Sequence, residues 1–174
     1  FLLLTLLFPA QSSARVLKVG KRLPFTTINA ALKHARPHDT IRVVGGATYR
    51  ERLVIRKPLT LQGINWPVID GCYKGHVVEV RASDVSVSGL KITHSNRSSR
   101  LDYAGIFAEN VSNVSITHNL LKDNMFSIML QSTSHCAVEH NRVEINITQN
   151  PIMGRGIHCW QGSGLPITAN PFGP

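Results

Sequence analysis

Hydrophobic and polar residues alternate through a set of short segments that repeat one another along the chain. Three of them end in asparagine and span residues 114–119, 137–141 and 166–170. Each follows a second alternating segment, at residues 104–110, 127–132 and 156–161. The closing residues Asn119, Asn141 and Asn170 lie 22 and 29 positions apart. A recurrence of this length with β alternation inside each unit is typical of a solenoid.

Upstream of the repeats the pattern predicts one helix among strands. Residues 15–20 alternate as a first strand, and Ile28, Ala31, Leu32 and Ala35 then lie on one helical face. Thr26 or Thr27 could cap this helix, and Pro37 marks its end. Glycine-punctuated alternation predicts further strands, at residues 41–46, 48–55 and 57–63. From residue 76 onward the strands are expected in pairs.

Stacking the repeats assigns a direction to each side chain. Ile106, Ile128 and Ile157 align, and two positions later so do Ala108, Leu130 and Cys159. In the second strand of each pair, Val114, Cys136 and Leu165 align, followed by Ile116, Val138 and Ile167. These apolar columns should face the interior, because successive strand residues point to opposite sides.

The turn position also stacks. Gly63 and Gly89 are expected in the same turn column as Asn119, Asn141 and Asn170, where stacked amides can hydrogen-bond from coil to coil. The pattern therefore predicts an all-β protein, a parallel β-helix with one short N-terminal capping helix. An antiparallel sandwich is the alternative, but it gives no reason for the aligned asparagines.

The ends of the chain suggest a processed fragment. Residues 1–14 combine an apolar run with small residues at Ser12 and Ala14, which is typical of a secretory signal and too short for a membrane span. Residues 15–174 are expected to form the N-terminal part of one β-helix domain whose C-terminal coils are missing, because a solenoid needs caps. The signal predicts that the protein is exported.

Charge is unevenly distributed. The net charge is +9, and residues 15–57 carry 11 Lys and Arg against Asp39 and Glu51. A basic first segment on a neutral body could face anionic lipid, an acidic polymer or an acidic partner, or it could be a solvated cap surface. Few aromatic residues and no stacking platform argue against a nucleic-acid-binding module.

Two stacked pairs are candidates for metal binding. Phe107, Met129 and His158 should share one outward column, so Met129 and His158 would be neighbours about 5 Å apart. Thioether and imidazole form a soft ligand pair that suits copper. His118 and His140 form a second pair near a corner, where Met125 is also expected. For both pairs the alternative is a surface or corner-packed side chain.

The three cysteines are not expected to bind metal. Cys72, Cys136 and Cys159 form no zinc-type spacing and no disulfide framework. Because Cys136 and Cys159 fall on inward columns, both should be buried and inert.

A carbohydrate-active β-helix enzyme is the second functional hypothesis. Such chemistry needs clustered carboxylates beside a basic residue. Glu109, Asp123, Glu139 and Glu144 fall in different columns, so no such cluster is expected. Trp160 shares a column with Glu109 and Gln131 and could stack on a sugar, or pack against a following coil or a loop.

Several segments resemble the NosD family of periplasmic nitrous oxide reductase maturation proteins. They are the run from TINAALKHARPHDTIRVVGG to LTLQG, then PVIDG at 67–71, VVEVRASDVSVSGLKITHS and GRGIHCW at 154–160. The family usually shows an Arg-Gly-Asn-Gly-Ile pattern where this chain has Arg155-Gly156-Ile157.

This resemblance implies a right-handed parallel β-helix of the pectin-lyase-like type and a non-catalytic role in the periplasm, outside the inner membrane. Members of the family act with a dedicated ABC transporter and assist assembly of the copper–sulfur centre of nitrous oxide reductase. The implied partners are the transporter subunits and nitrous oxide reductase or a copper chaperone. Copper handling would give the Met129/His158 and His118/His140 pairs a purpose, although no family motif fixes these positions as ligands.

Overall fold

Short parallel strands make up almost all of the regular structure. The computed structural model describes residues 13–98, 101–144 and 155–173; the predicted signal segment falls largely outside them. One helix is present in the described residues, α1 (Ile28–His34). The strands are β1 (Val16–Val19), β2 (Thr40–Val44), β3 (Thr48–Tyr49), β4 (Leu53–Ile55), β5 (Leu59–Ile64), β6 (Val68–Asp70), β7 (Val78–Val80), β8 (Val85–Ser88), β9 (Lys91–Thr93), β10 (Ala104–Glu109), β11 (Ser115–Thr117), β12 (Leu120–Lys122), β13 (Phe126–Gln131), β14 (Ala137–Glu139), β15 (Arg142–Glu144), β16 (Arg155–Trp160), β17 (Ile167–Thr168) and β18 (Phe172–Gly173).

The strands form three parallel sheets, and the chain visits them in turn. Sheet 1 has seven strands in the order β1-β2-β5-β8-β11-β14-β17, sheet 2 has five in the order β16-β13-β10-β7-β4, and sheet 3 has six in the order β18-β15-β12-β9-β6-β3. From β4 onward each coil contributes one strand to each sheet. The molecule is therefore a parallel β-helix, as predicted.

Two strand expectations were wrong. Strands come in threes rather than pairs. The third strand of each coil, in sheet 3, was not predicted because it has only two or three residues and shows too little alternation to be recognised. The expected single strand at 48–55 is β3 and β4, with a turn between them that carries the chain from sheet 3 to sheet 2.

The helix closes one end of the solenoid. It lies between β1 and β2, which are adjacent in sheet 1, and it buries Ile28 and Ala31. Thr27 is the N-cap, and its side chain accepts a hydrogen bond from the N–H of Ala30. The carboxylate of Glu51 accepts from the N–H groups of Ile28 and Asn29, both at 2.9 Å. These first-turn donors have no partner within the helix, so Glu51 fixes it onto the first coil.

The predicted inward columns form the core, except on the last described coil, where Ile167 is 41% exposed because no further described coil covers it. Ile106, Ile128 and Ile157 pair in register in sheet 2, as do Ile116, Val138 and Ile167 in sheet 1. Nearly all of the inward isoleucines and valines between the first and fourth coils are fully buried. Area removed from water at about 25 cal/mol per Å² is the main stabilising term for such a core.

The asparagine ladder is confirmed. The side-chain amide of Asn119 donates to Oδ1 of Asn141 at 3.0 Å, and that of Asn141 donates to Oδ1 of Asn170 at 3.1 Å. Each amide also donates to a backbone carbonyl of the coil before it, that of Val87, Ile116 or Val138. Asn119 and Asn141 are fully buried. The ladder therefore satisfies polar backbone groups at a turn that water does not reach.

The position of the glycines relative to this ladder was predicted wrongly by one residue. Gly63 and Gly89 pack against each other, and the N–H of Gly89 donates to the carbonyl of His118. This column continues through His118 and His140, each with a positive φ, near 55°. The residue before each asparagine is thus the left-handed residue that turns the chain.

Replacement of Asn141 by alanine should destabilise the protein by about 2–4 kcal/mol, because buried donors and acceptors on both neighbouring coils lose their partner. Denaturant unfolding followed by circular dichroism measures this change. The control is Lys33→Ala on the exposed face of α1, which should change the free energy of unfolding by less than about 0.5 kcal/mol. Equal effects of the two substitutions would contradict a structural role for the ladder.

Candidate functional site

The outer face of sheet 2 carries two columns of side chains that are not part of the solenoid core. In the first column, Glu79 pairs in register with Phe107, Phe107 with Met129, and Met129 with His158. The prediction that Phe107, Met129 and His158 share a column is thereby confirmed. In the second column, Glu109 pairs with Gln131 and Gln131 with Trp160, also as predicted.

The last coils of this face form a groove. Its volume is about 340 Å³, and the side chains lining it are Asp102, Phe107, Met129, Gln131, His158 and Trp160. Met129 and Phe107 form its floor at 7% and 5% exposure, whereas Trp160 is 60% exposed at the rim. The groove thus combines soft, aromatic and polar groups on one accessible surface.

Met129 and His158 offer two donors of the type that copper prefers. They are directly opposed on adjacent parallel strands, whose spacing is about 4.8 Å, and both line the groove. Of the harder groups in the lining, Asp102 and Gln131 contribute side-chain oxygens. Met129 belongs to a buried apolar cluster with Phe107 and Phe126, whereas His158 is exposed, and metal binding by this pair stays a prediction.

His118 and His140 stack as predicted, but in a geometry that does not aim both rings at one point. Their ring centroids are 5.0 Å apart and the planes differ by 8°. An imidazole lone pair lies in the ring plane, so parallel rings direct their nitrogens side by side. One ring would have to rotate before both could bind the same ion. Metal binding by this pair stays a prediction.

We expect Met125 beside these histidines from the sequence, but the structure places it elsewhere. It is buried with Phe107, Phe126 and Met129 in a small apolar cluster on the outer side of sheet 2. The ring of Phe126 also contacts that of His158, with centroids 5.5 Å apart. Met125 therefore supports the floor of the groove.

The cysteines differ from one another. Cys136 is buried as predicted, but Cys159 is exposed. The register of Cys159 with Leu130 is correct, yet β16 is the outermost described strand of sheet 2, so the thiol lacks a covering neighbour. Across residues 13–98, 101–144 and 155–173, no three His, Cys, Asp or Glu side chains converge to hold a metal ion.

The same face also carries a row of charged side chains that was not predicted from the sequence. Arg52 contacts Glu79 at 3.2 Å, Arg81 contacts Glu79 at 3.3 Å, and Arg81 also pairs with Glu109. The expectation that carboxylates do not cluster was therefore wrong. Glu79 was left out of the comparison of columns, although its alternation with Val78 and Val80 places it on the outer face.

His76 extends this row towards the groove. Its ring stacks on Phe107 with centroids 4.2 Å apart and meets the edge of Tyr103 at 5.2 Å. Its Nδ1 accepts a hydrogen bond from the N–H of Ala104 at 3.0 Å, so the proton of the neutral ring is on Nε2. Burial lowers the pKa of His76 to about 4, opposed by Glu79. The imidazole is therefore neutral near pH 7.

These groups are poorly arranged for proton transfer. A general base needs a free lone pair directed at the substrate. The lone pair of His76 is occupied, and both carboxylate oxygens of Glu79 accept hydrogen bonds from arginine. The carboxylate of Glu109 is paired with Arg81. The row therefore forms a hydrogen-bonded polar surface beside Phe107. The guanidinium carbon of Arg81 lies 5.0 Å from the centroid of the Phe107 ring.

Comparison with protein families gives one match. Residues 67–172 match the family described as the right handed beta helix region. No curated protein sequence matches the chain.

Solved structures with the same fold include carbohydrate-active enzymes. The chain is similar to an alginate lyase from Paenibacillus sp. strain FPU-7, with a TM-score of 0.66 and 16% sequence identity over 92% of this chain and 58% of the lyase. It is also similar to the pectin methylesterase of Aspergillus niger, with a TM-score of 0.46 and 14% identity over 73% of this chain and 58% of that one. The chain thus spans less than two thirds of the length of these enzymes. At this level of identity the likeness concerns the fold alone.

The low pKa of His76 predicts a pH-dependent stability. In the unfolded chain His76 binds a proton near pH 6.5, and in the folded chain only near pH 4. The free energy of unfolding should therefore fall as the pH drops between these values. Histidine ring proton shifts measured by NMR should show His76 still neutral at pH 5, while the melting temperature decreases from pH 7 to pH 4. The variant His76→Gln should show a weaker decrease over this range. A normal titration of His76 near pH 6.5 would contradict its packing against Phe107.

Proposed function

The chain belongs to the right handed beta helix family, and we propose that it is a non-catalytic accessory protein that assists copper-site maturation of nitrous oxide reductase. The observation that supports this proposal is the groove on sheet 2, where Met129 and His158 oppose each other on adjacent strands. Copper is the cargo in this proposal, since the protein has to release it.

An open site of this kind suits transfer. Two soft ligands hold Cu(I) weakly enough for a partner to compete, and the exposed side of the groove leaves room for a third ligand from that partner. The ion moves by exchange of ligands, with no change of oxidation state. Trp160 and Gln131 at the rim give the partner an aromatic and a polar contact.

The cellular setting comes from the resemblance to the NosD family. The proposed location is the periplasm, after export by the signal segment in residues 1–14. The proposed partners are subunits of an ABC transporter and nitrous oxide reductase or a copper chaperone. No helix among the described residues has the length and apolar character needed to cross a membrane.

A carbohydrate-active enzyme is the second candidate, because one observation favours it. Glu79 and Glu109 stand beside Arg52 and Arg81 on an outer sheet face, which is the arrangement such chemistry would use. The hydrogen bonds that occupy these carboxylates and His76 weigh against catalysis. The row is better suited to binding than to moving a proton.

Titration with Cu(I) in competition with a chromogenic Cu(I) chelator tests the first candidate. The wild-type protein should bind one Cu(I), and Met129→Leu and His158→Gln should each weaken binding by about tenfold or more, since each removes one of two ligands. The matched controls are Met125→Leu, a buried methionine beneath the groove, and His135→Gln, an exposed histidine elsewhere.

Retention of full affinity in both groove variants would contradict the site. His118→Gln and His140→Gln then report whether the second pair binds the ion instead. If no variant lowers affinity, or no Cu(I) binds, while the protein still supports nitrous oxide reductase assembly, its role is to dock a partner.

Incubation with polyuronates tests the second candidate. We expect the wild-type protein to show no cleavage, epimerisation or ester hydrolysis. Reducing-end and methanol assays measure cleavage and ester hydrolysis. Turnover that disappears in Glu79→Gln but persists in Met129→Leu would reverse the proposal in favour of an enzyme.

A further inference from the structure

The capped end of the solenoid has a strongly one-sided charge. Both acidic residues of segment 15–57 are used internally. Asp39 is 2% exposed and accepts hydrogen bonds from Arg15 and from the N–H of Arg36. Glu51 caps α1. Asp39 therefore pairs with Arg15, and Glu51 is directed at the N-terminus of α1 rather than at the other cations of this end.

The cations of this end remain in solvent. On β1, on the turn after it and at the end of α1, the exposed cations whose side chains make no ion pair with another described residue form what we call the cap surface: Lys18, Lys21, Arg22, Lys33 and Arg36. They lie on β1, on the turn that follows it, and on the last turn of α1 and just beyond. These elements adjoin, since the rings of Phe25 and His34 are 5.3 Å apart and Arg15 donates to the carbonyl of His34.

Apolar groups lie among these charges. A shallow notch of about 320 Å³ is lined by Val16, Leu17, Pro24 and Phe25, with Arg15, Lys18 and His34 at its sides. Val16 is 49% exposed. Basic side chains around an exposed apolar notch fit a surface that is anionic outside and apolar beneath.

The character of these charges indicates the kind of partner. Lys18, Lys21 and Arg22 are exposed, and among the described residues their side chains have no acidic partner. Long, solvated basic side chains of this kind match a diffuse planar charge better than a single bound ion.

We propose that the cap surface docks on an anionic phospholipid membrane, which would hold the solenoid by its capped end. The proposal does not depend on copper binding. The groove of Met129 and His158 lies on the last described coils, whereas the cap surface lies at the opposite, capped end of the solenoid.

Vesicle co-sedimentation of the mature chain, residues 15–174 after removal of the signal segment, tests the proposal. Vesicles of phosphatidylcholine alone are compared with vesicles that also contain phosphatidylglycerol, at low and high salt. We expect the wild-type protein to prefer the anionic vesicles, and the preference to fall as ionic strength rises. Lys18→Glu with Lys21→Glu should lower the partition coefficient by roughly 30-fold or more.

The matched control is Lys74→Glu with Lys91→Glu, which changes net charge equally away from the cap surface and should keep most of the binding. Equal melting temperatures exclude misfolding as the cause. The proposal is overturned if wild-type protein shows no preference for anionic vesicles, if both double variants lose it equally, or if the cap surface binds only a soluble polyuronate or nucleic acid. Cu(I) affinity should be unchanged in both double variants, so failure here is distinct from failure of the proposed function.

Discussion

Hydrogen bonding between successive coils is the constraint on which the other features of this molecule depend. Every strand pairs in parallel with the strand one coil before or after it, so a side chain that points outward in one coil lies above its counterpart in the next. The corner is held by the buried amides of Asn119 and Asn141, which bind side chains and carbonyls of neighbouring coils. A slip of one residue would turn the whole inward set outward and leave these amides unpaired.

This fixed register is what brings candidate functional side chains together on the outer faces. The interior is filled by apolar columns and by a few hydrogen-bonded polar residues such as the asparagine ladder, whereas the outward columns of sheet 2 vary from coil to coil. Along that sheet the chain changes from the arginine–glutamate row near Glu79 to the apolar floor at Phe107 and Met129, and then to the exposed His158 and Trp160. Adjacent coils thus place side chains from positions far apart in sequence within contact distance of one another.

The same register explains what could be predicted from the sequence. Alternation over six residues correctly predicted β10, β13 and β16 of sheet 2, their inward columns and the adjacency of Met129 and His158. Strands of two or three residues, as in sheet 3, have no readable period. Pairing that depends on side-chain reach was also missed, since Arg81 contacts both Glu79 and Glu109 from a neighbouring position. The exposure of Cys159 and the ring orientation of His118 and His140 depend on surroundings that alternation does not specify.

The central claim is that the groove on sheet 2 holds Cu(I) through Met129 and His158. X-ray absorption at the copper edge of the Cu(I)-loaded protein tests it most directly, because sulfur and nitrogen neighbours scatter differently. We expect one sulfur and one imidazole nitrogen bound to copper, with the sulfur lost in Met129→Leu and the imidazole lost in His158→Gln. A copper ion bound only by nitrogen and oxygen in the wild-type protein, or a spectrum unchanged in both variants, would contradict the account.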